Sequence, residues 1–82
     1  MEIAPTAEIW INASADGQRA IYRLVKPGER VKVEARNELS FRIGNAAAFQ
    51  YSINGVPGRV LGQSGEVLEF QVTRDNVRTY HR

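Results

Sequence analysis

The side chains able to do chemistry in this sequence are few and dispersed. His81 is the single histidine and stands second from the end, where a solvated side chain is the ordinary outcome. There is no cysteine, which removes thiol catalysis, disulfide stapling and a cysteine-based zinc site. One histidine without cysteine leaves a transition metal too few soft ligands. The carboxylates Glu29, Glu34, Glu66, Glu69 and Asp75 fall in separate segments. A glycosidase-type acid/base couple needs two of them held at a fixed separation, and nothing in the spacing supplies that. Ser40, Ser52 and Ser64 have no partner base and no strand-to-helix elbow around them. Gly62-Gln63-Ser64-Gly65 has the look of a glycine-rich phosphate loop, but no lysine follows and no helix is predicted after it. It reads as a turn. The residues therefore point away from an enzyme, and no cofactor or metal is expected.

The totals agree with a small binding or structural domain. Eighty-two residues make one domain, and 43% hydrophobic residues are ordinary for a globular chain. Eleven Lys and Arg against nine Asp and Glu leave a net charge of +2. That is thin for a nucleic-acid binder, which concentrates basic charge on one face. Single-strand binding, through a basic groove with stacking aromatics, is the third reading, because most aromatics are predicted inside. No apolar run approaches the roughly 20 residues of a membrane span. Met1 to Trp10 carries Glu2 and Glu8 and no basic start, unlike a signal peptide.

The elements that would have to position any site are strands. Apolar residues alternate rather than recur at helical spacing, with turn signals between the runs. Ile9, Ile11 and Ala13 share one face of "AEIWINAS". Asp16-Gly17 is a two-residue hairpin turn, and "RAIYRLV" follows with Ala20, Tyr22 and Leu24 predicted inward. Pro27-Gly28 is read as a second hairpin turn, leading to Val31, Val33 and Ala35 on one face. Leu39, Phe41 and Ile43 align in "LSFRI". Gly44-Asn45 is a bend, and Ala46 to Ala48 crosses between strands, with room for a single helical turn. Phe49, Tyr51 and Ile53 form a core strand closed by Asn54-Gly55. Gly58 to Leu61 is a short strand, and Leu68, Phe70 and Val72 point inward from the last one. The fold class is all-β: a small immunoglobulin-like β-sandwich of about seven mostly antiparallel strands. Residues 74–82 look like a frayed tail.

Two registers follow from the turns. With Asp16-Gly17 and Pro27-Gly28 as two-residue loops, the first three strands form a meander. Its outer face would carry Trp10 opposite Arg23, Arg23 opposite Lys32, and Arg19 opposite Arg36, with Arg30 nearby. Like charges facing each other across strands are destabilising. Either the long basic side chains splay into water and Trp10 is covered by the tail or by Tyr80, or these residues form a shallow face for an anionic or glycan partner. With Asn54-Gly55 as loop, Ile53 faces Val56 and Ser52 faces Pro57. The missing N–H of Pro57 then puts that strand at a sheet edge.

The stretches "AEIWINASADGQ", "LVKPGERVKVEA", "LSFRIGNAAAFQYSINGVP" and "LGQSGEVLEFQVT" resemble, in order and spacing, the C-terminal domain of RodZ-like bacterial cell-shape proteins. The resemblance is carried by Glu8, Trp10, Asp16, Gly17, Gly28, Glu29, Gly44, Asn45, Ala46, Asn54 and Gly55, and covers about residues 7–73. It implies that residues 1–6 are the end of a linker and that residues 7–73 are the domain. It implies a single-pass inner-membrane parent with a cytoplasmic helix-turn-helix domain that contacts the actin-like protein MreB, this domain being the extracytoplasmic (periplasmic) part. The implied function is non-catalytic: an interaction domain supporting cell elongation and rod shape, monomeric in isolation. Its partners would be proteins of the elongation complex. The alternative is peptidoglycan or another glycan, bound through Trp10 and Arg23 with Arg19 and Lys32. An exposed Trp10 would suit the glycan reading.

Overall fold

Alternating apolar residues bury one face of each strand, so two such sheets close a core between them. In the computed structural model, which describes residues 1–82, the strands are β1 (Glu2–Ile3), β2 (Ile9–Ala15), β3 (Gln18–Val25), β4 (Val31–Lys32), β5 (Glu38–Ile43), β6 (Tyr51–Ile53), β7 (Val56–Pro57) and β8 (Leu68–Thr73). They form two four-stranded antiparallel sheets, β4-β1-β6-β7 and β3-β2-β5-β8. The predicted β-sandwich is thus the observed one. Ile9, Ile11, Ala13, Leu39, Phe41, Ile43, Phe49, Tyr51, Ile53 and Val72 are buried, as the alternation requires. Phe41 stacks on Phe70 at 4.9 Å and meets Phe49 edge-on at 5.6 Å. Each fully buried aliphatic or aromatic side chain contributes roughly 1.5–3 kcal/mol.

Three placements depart from the sequence reading, each for a local reason. First, β3 carries a bulge. Ser14 pairs with Arg19 beyond the Asp16-Gly17 turn, but Ala13 pairs with Ile21, which leaves Ala20 without an opposite residue. One extra residue reverses every later side chain. Ile21 and Val25 are therefore buried, whereas Ala20, Tyr22 and Leu24, expected inward, are exposed.

Second, Pro27-Gly28 does not make a hairpin. Glu29 N–H donates to Lys26 C=O at 3.1 Å, and Gly28 has φ +91 behind a proline whose φ is locked negative. This is the type II arrangement, whose twist splays flanking strands. The chain leaves β3 and crosses to the other sheet, where β4 pairs with β1. The meander of three strands does not exist, and Ala35 is exposed.

Third, the ends of the chain are built into the fold. Residues 1–6, expected as linker, supply β1, the strand between β4 and β6. Its Ile3 is 0% exposed, and β1, with β7 at Val56–Pro57 in place of the strand expected over Gly58 to Leu61, brings the count to eight. Residues 74–82, expected to fray, fold back: Val77–Tyr80 form a 3-10 turn, and Tyr80 packs on Phe70 at 5.6 Å. Gly58 to Leu61 is not a strand; only Gly58 forms a bridge, to His81.

The remaining turns behave as read. Asp16 (φ 50), Gly17 (φ 82), Asn54 (φ 52) and Gly55 (φ 80) make two hairpin turns of the type with both central residues left-handed. Ile53 pairs with Val56 and Ser52 with Pro57, on the edge strand β7. Asn45 is left-handed at φ 61 while Gly44 is not, and Ala46–Ala48 make one 3-10 turn between the sheets.

The Asp16 carboxylate accepts the backbone N–H groups of Arg36 (2.7 Å), Asn37 (2.9 Å) and Glu38 (3.0 Å). These three donors hold its acid below the usual carboxylate range. A depressed folded-state pKa contributes stability above the unfolded value of about 4, and that stability is lost as pH falls through the lower folded value. Asp16→Asn keeps the left-handed tolerance but not the charge. Its melting temperature is expected to lie below that of the wild type at neutral pH, with the gap closing as both are titrated below about pH 4. A gap that stays constant with pH would show that the charge is not what the three donors recognise.

Candidate interaction face

The outer face of the β3-β2-β5-β8 sheet follows from its registers. Trp10 pairs with Leu24, Asn12 with Tyr22 on one side and Arg42 on the other, and Arg42 with Glu69. Because the bulge turns Tyr22 and Leu24 outward, they lie beside Trp10. Trp10 and Tyr22 make a T-shaped pair with ring centroids 4.9 Å apart. The Arg19 guanidinium sits 4.2 Å above the Tyr22 ring, a cation–π contact worth about 0.5–1 kcal/mol at an exposed site. Arg42 and Glu69 lie 3.5 Å apart and are both well exposed, so their pair adds little stability.

This face leaves apolar surface in water. Trp10 is 39% exposed, Tyr22 53%, Leu24 48% and Val67 61%. Trp10, Asn12, Tyr22, Arg42, Gly44 and Val67 line a shallow hollow of about 400 Å³. Neither the C-terminal segment nor Tyr80 covers Trp10; Tyr80 packs on Phe70 instead.

Of the six residues expected to share one face, only Trp10 and Arg19 do. Arg23 pairs with Ile11 in register and is turned away from Trp10, forming an ion pair with Glu29 at 3.1 Å. The Glu29 carboxyl is held low by the Lys26 N–H and then by Arg23. Arg30 reaches Glu2 at 3.3 Å, and Lys32 stands opposite Glu2 on the other sheet. Arg36 lies in the loop before β5. The like-charge pairs Arg23/Lys32 and Arg19/Arg36 are therefore absent, consistent with their cost. Sequence reasoning missed Tyr22, Leu24, Arg42 and Val67. The available signal was in "RAIYRLV", where Ile21 and Val25 offer a second apolar face that only a bulge selects.

The other chemically suggestive stretch is architectural. Asn45 Oδ1 accepts from Gly65 N–H at 2.9 Å, Ala46 N–H donates to Glu66 C=O at 2.9 Å, and Gln63 N–H donates to Glu66 Oε1 at 2.9 Å. Gly65 N–H is thus spent on the Gly44–Ala48 crossing and Gln63 N–H on Glu66, while the crossing's Ala46 and Ala47 N–H groups donate back to Glu66 and Gln63 C=O, so the loop reads as architecture and not as a phosphate cradle.

These features converge on one comparison: residues 2–71 match the RodZ C-terminal domain family. The chain belongs to that family. The RodZ C-terminal domain is a structural and interaction domain involved in cell shape, and the family is not one of known enzymes. No curated protein and no solved structure gives a significant match. Among the residues that carried the resemblance, Asp16, Gly17, Gly28, Asn45, Asn54 and Gly55 all hold left-handed backbone in this RodZ domain. Trp10 has no such backbone role, and its ring stands at the surface.

Proposed function

We propose that this domain is a non-catalytic, extracytoplasmic interaction module of a RodZ-like single-pass membrane protein, and that it docks protein partners of the cell-elongation machinery. The observation that carries this reading is the contiguous exposed cluster of Trp10, Tyr22, Leu24 and Val67 on a rigid sheet. An ordered apolar patch with aromatic anchors and a polar surround is the usual form of a protein-binding surface. On this reading the domain is a monomer in isolation and binds no nucleic acid; the second point is supported by a net charge of only +2.

Trp10→Ala is expected to change stability by about 1 kcal/mol or less. It should weaken docking of an extracytoplasmic domain of an elongation protein by about tenfold or more, read by amide-shift titration. If no such domain moves signals at Trp10, Tyr22 or Val67, the reading fails.

Peptidoglycan is the second reading. The exposure of Trp10 beside the hydrogen-bonding groups of Asn12 and Arg42 favours it. Soluble peptidoglycan fragments serve as the parallel arm of the titration. Signals that move at Trp10 with the fragments and not with the protein domains would replace the first reading with this one.

A further inference from the structure

We propose that the free edge of β3 is a strand-addition site for an extended segment of a protein partner that alternates apolar with acidic residues. The proposal rests on the protein-interaction reading above and specifies the partner's form.

Four strand edges border the two sheets, and three of them are short or closed. On β7, Pro57 C=O accepts from Arg82 N–H at 2.9 Å, and Arg59 N–H just beyond donates to Tyr80 C=O at 2.8 Å. On β8, Gln71 C=O accepts from Asn76 Nδ2 and Tyr80 Oη, both at 3.0 Å, and Thr73 N–H donates to Asn76 Oδ1 at 2.7 Å. The C-terminal segment therefore closes both of these edges. β4 has only two residues. β3 has eight and no neighbour outside β2.

The direction of the β3 backbone groups follows from the ladder. Trp10 C=O accepts from Gly44 N–H at 3.0 Å, and Asp16 N–H donates to Glu38 C=O at 2.9 Å, so the even-numbered residues of β2 bond toward β5. Antiparallel strands alternate, so Ile9, Ile11 and Ala13 bond toward Val25, Arg23 and Ile21. Tyr22 and Leu24 then direct N–H and C=O to the open side. One of these four groups is occupied: Leu24 C=O accepts from the Arg23 guanidinium at 3.0 Å. The other three form a template for a further strand.

The side chains set the partner's chemistry. Tyr22 and Leu24 lie on the outer face, so residues of an added strand on that side would be apolar. Arg23 lies on the opposite side with Glu29 as its ion-pair partner at 3.1 Å, and β3 itself carries Arg19 and Arg23 with no acid. Glu29 engages one guanidinium nitrogen of Arg23, and a carboxylate on the added strand would take the other off Leu24 C=O and free the fourth group. Period-two alternation of apolar and acidic residues meets both demands.

The test uses the whole chain and a blocked peptide of about eight residues alternating valine with glutamate. Tyr22 and Leu24 amides should shift, and their hydrogen exchange should slow by about tenfold or more at saturation. The same peptide with lysine for glutamate should bind at least about tenfold more weakly. Leu24→Pro removes an outward N–H without breaking a bond to β2, and should weaken binding by about fivefold or more beyond Leu24→Ala. If Leu24→Pro does not fold, the exchange measurement on the unaltered chain decides. Shifts at Trp10, Arg42 and Val67 with unchanged exchange at Tyr22 and Leu24 would overturn edge addition and leave the face reading intact. Protection that appears without peptide and rises with protein concentration would assign the edge to a second copy of this chain. A peptide that moves nothing overturns the proposal, while the partner-domain titration decides the interaction reading separately.

Discussion

Ile3→Ala should destabilise the domain by about 2–5 kcal/mol, measured by urea unfolding. A chain of this length has roughly 4–12 kcal/mol in total, so the variant should lose a large share of its stability. Ile3 is fully buried in a strand of two residues, yet that strand joins the sheet from both sides. Glu2 and Ile3 pair with Lys32 and Val31, and again with Ser52 and Tyr51. Met1 exchanges two bonds with Val33, and Ala4 and Thr6 N–H groups continue the ladder to Gln50 and Ala48 C=O. The side chain is the anchor for all of these. A loss below about 1 kcal/mol would mean that residues 1–6 contribute little to the fold, as a linker would.

Gly58→Ala should cost about 1–3 kcal/mol or more, although the new methyl is small and the backbone is unstrained. A Cβ at Gly58 would overlap the Tyr51 ring, which lies across the strand. That ring cannot easily give way. It is 6% exposed, packs on Phe49 at 5.0 Å, and holds its hydroxyl within reach of the carbonyls of Arg59 (3.0 Å) and Tyr80 (3.2 Å). Burial pushes the phenol up to about 12. The closure of the C-terminal segment over β7 depends on this close approach. In a Tyr51→Ala background the same substitution should cost less than about 0.5 kcal/mol, so the double-mutant cycle gives a large coupling. Equal costs in both backgrounds would show that the ring is not the obstacle.

The sandwich was legible wherever alternation and turn chemistry agreed. Asp16-Gly17 and Asn54-Gly55 fix their hairpins because both residues of each pair accept positive φ, and the Ser52/Pro57 register followed directly. Pro27-Gly28 is not an equivalent turn. A proline cannot take positive φ, so that pair excludes the hairpin twist, and the crossover was present in the residue types. The bulge at Ala20 was not legible. Both faces of "RAIYRLV" carry apolar residues, and packing against the second sheet, not local preference, chooses Ile21 and Val25 for the core. That one choice moved the candidate face. It took Arg23 away from Trp10 and brought Tyr22 and Leu24 to it. The role of residues 1–6 was hidden for a different reason: two residues are too few to show a period, and Ile3 gains its importance from partners 28 and 48 positions away.

The placement of β1 also has a mechanical meaning. A pull applied at the N-terminal residue would enter the fold through a strand held on both sides. A pull along that strand loads the β4 and β6 ladders together, whereas a terminal strand at an edge would peel one bond at a time. The short central strand would make the N-terminus resist such a pull in shear, with Ile3 as its keyed plug.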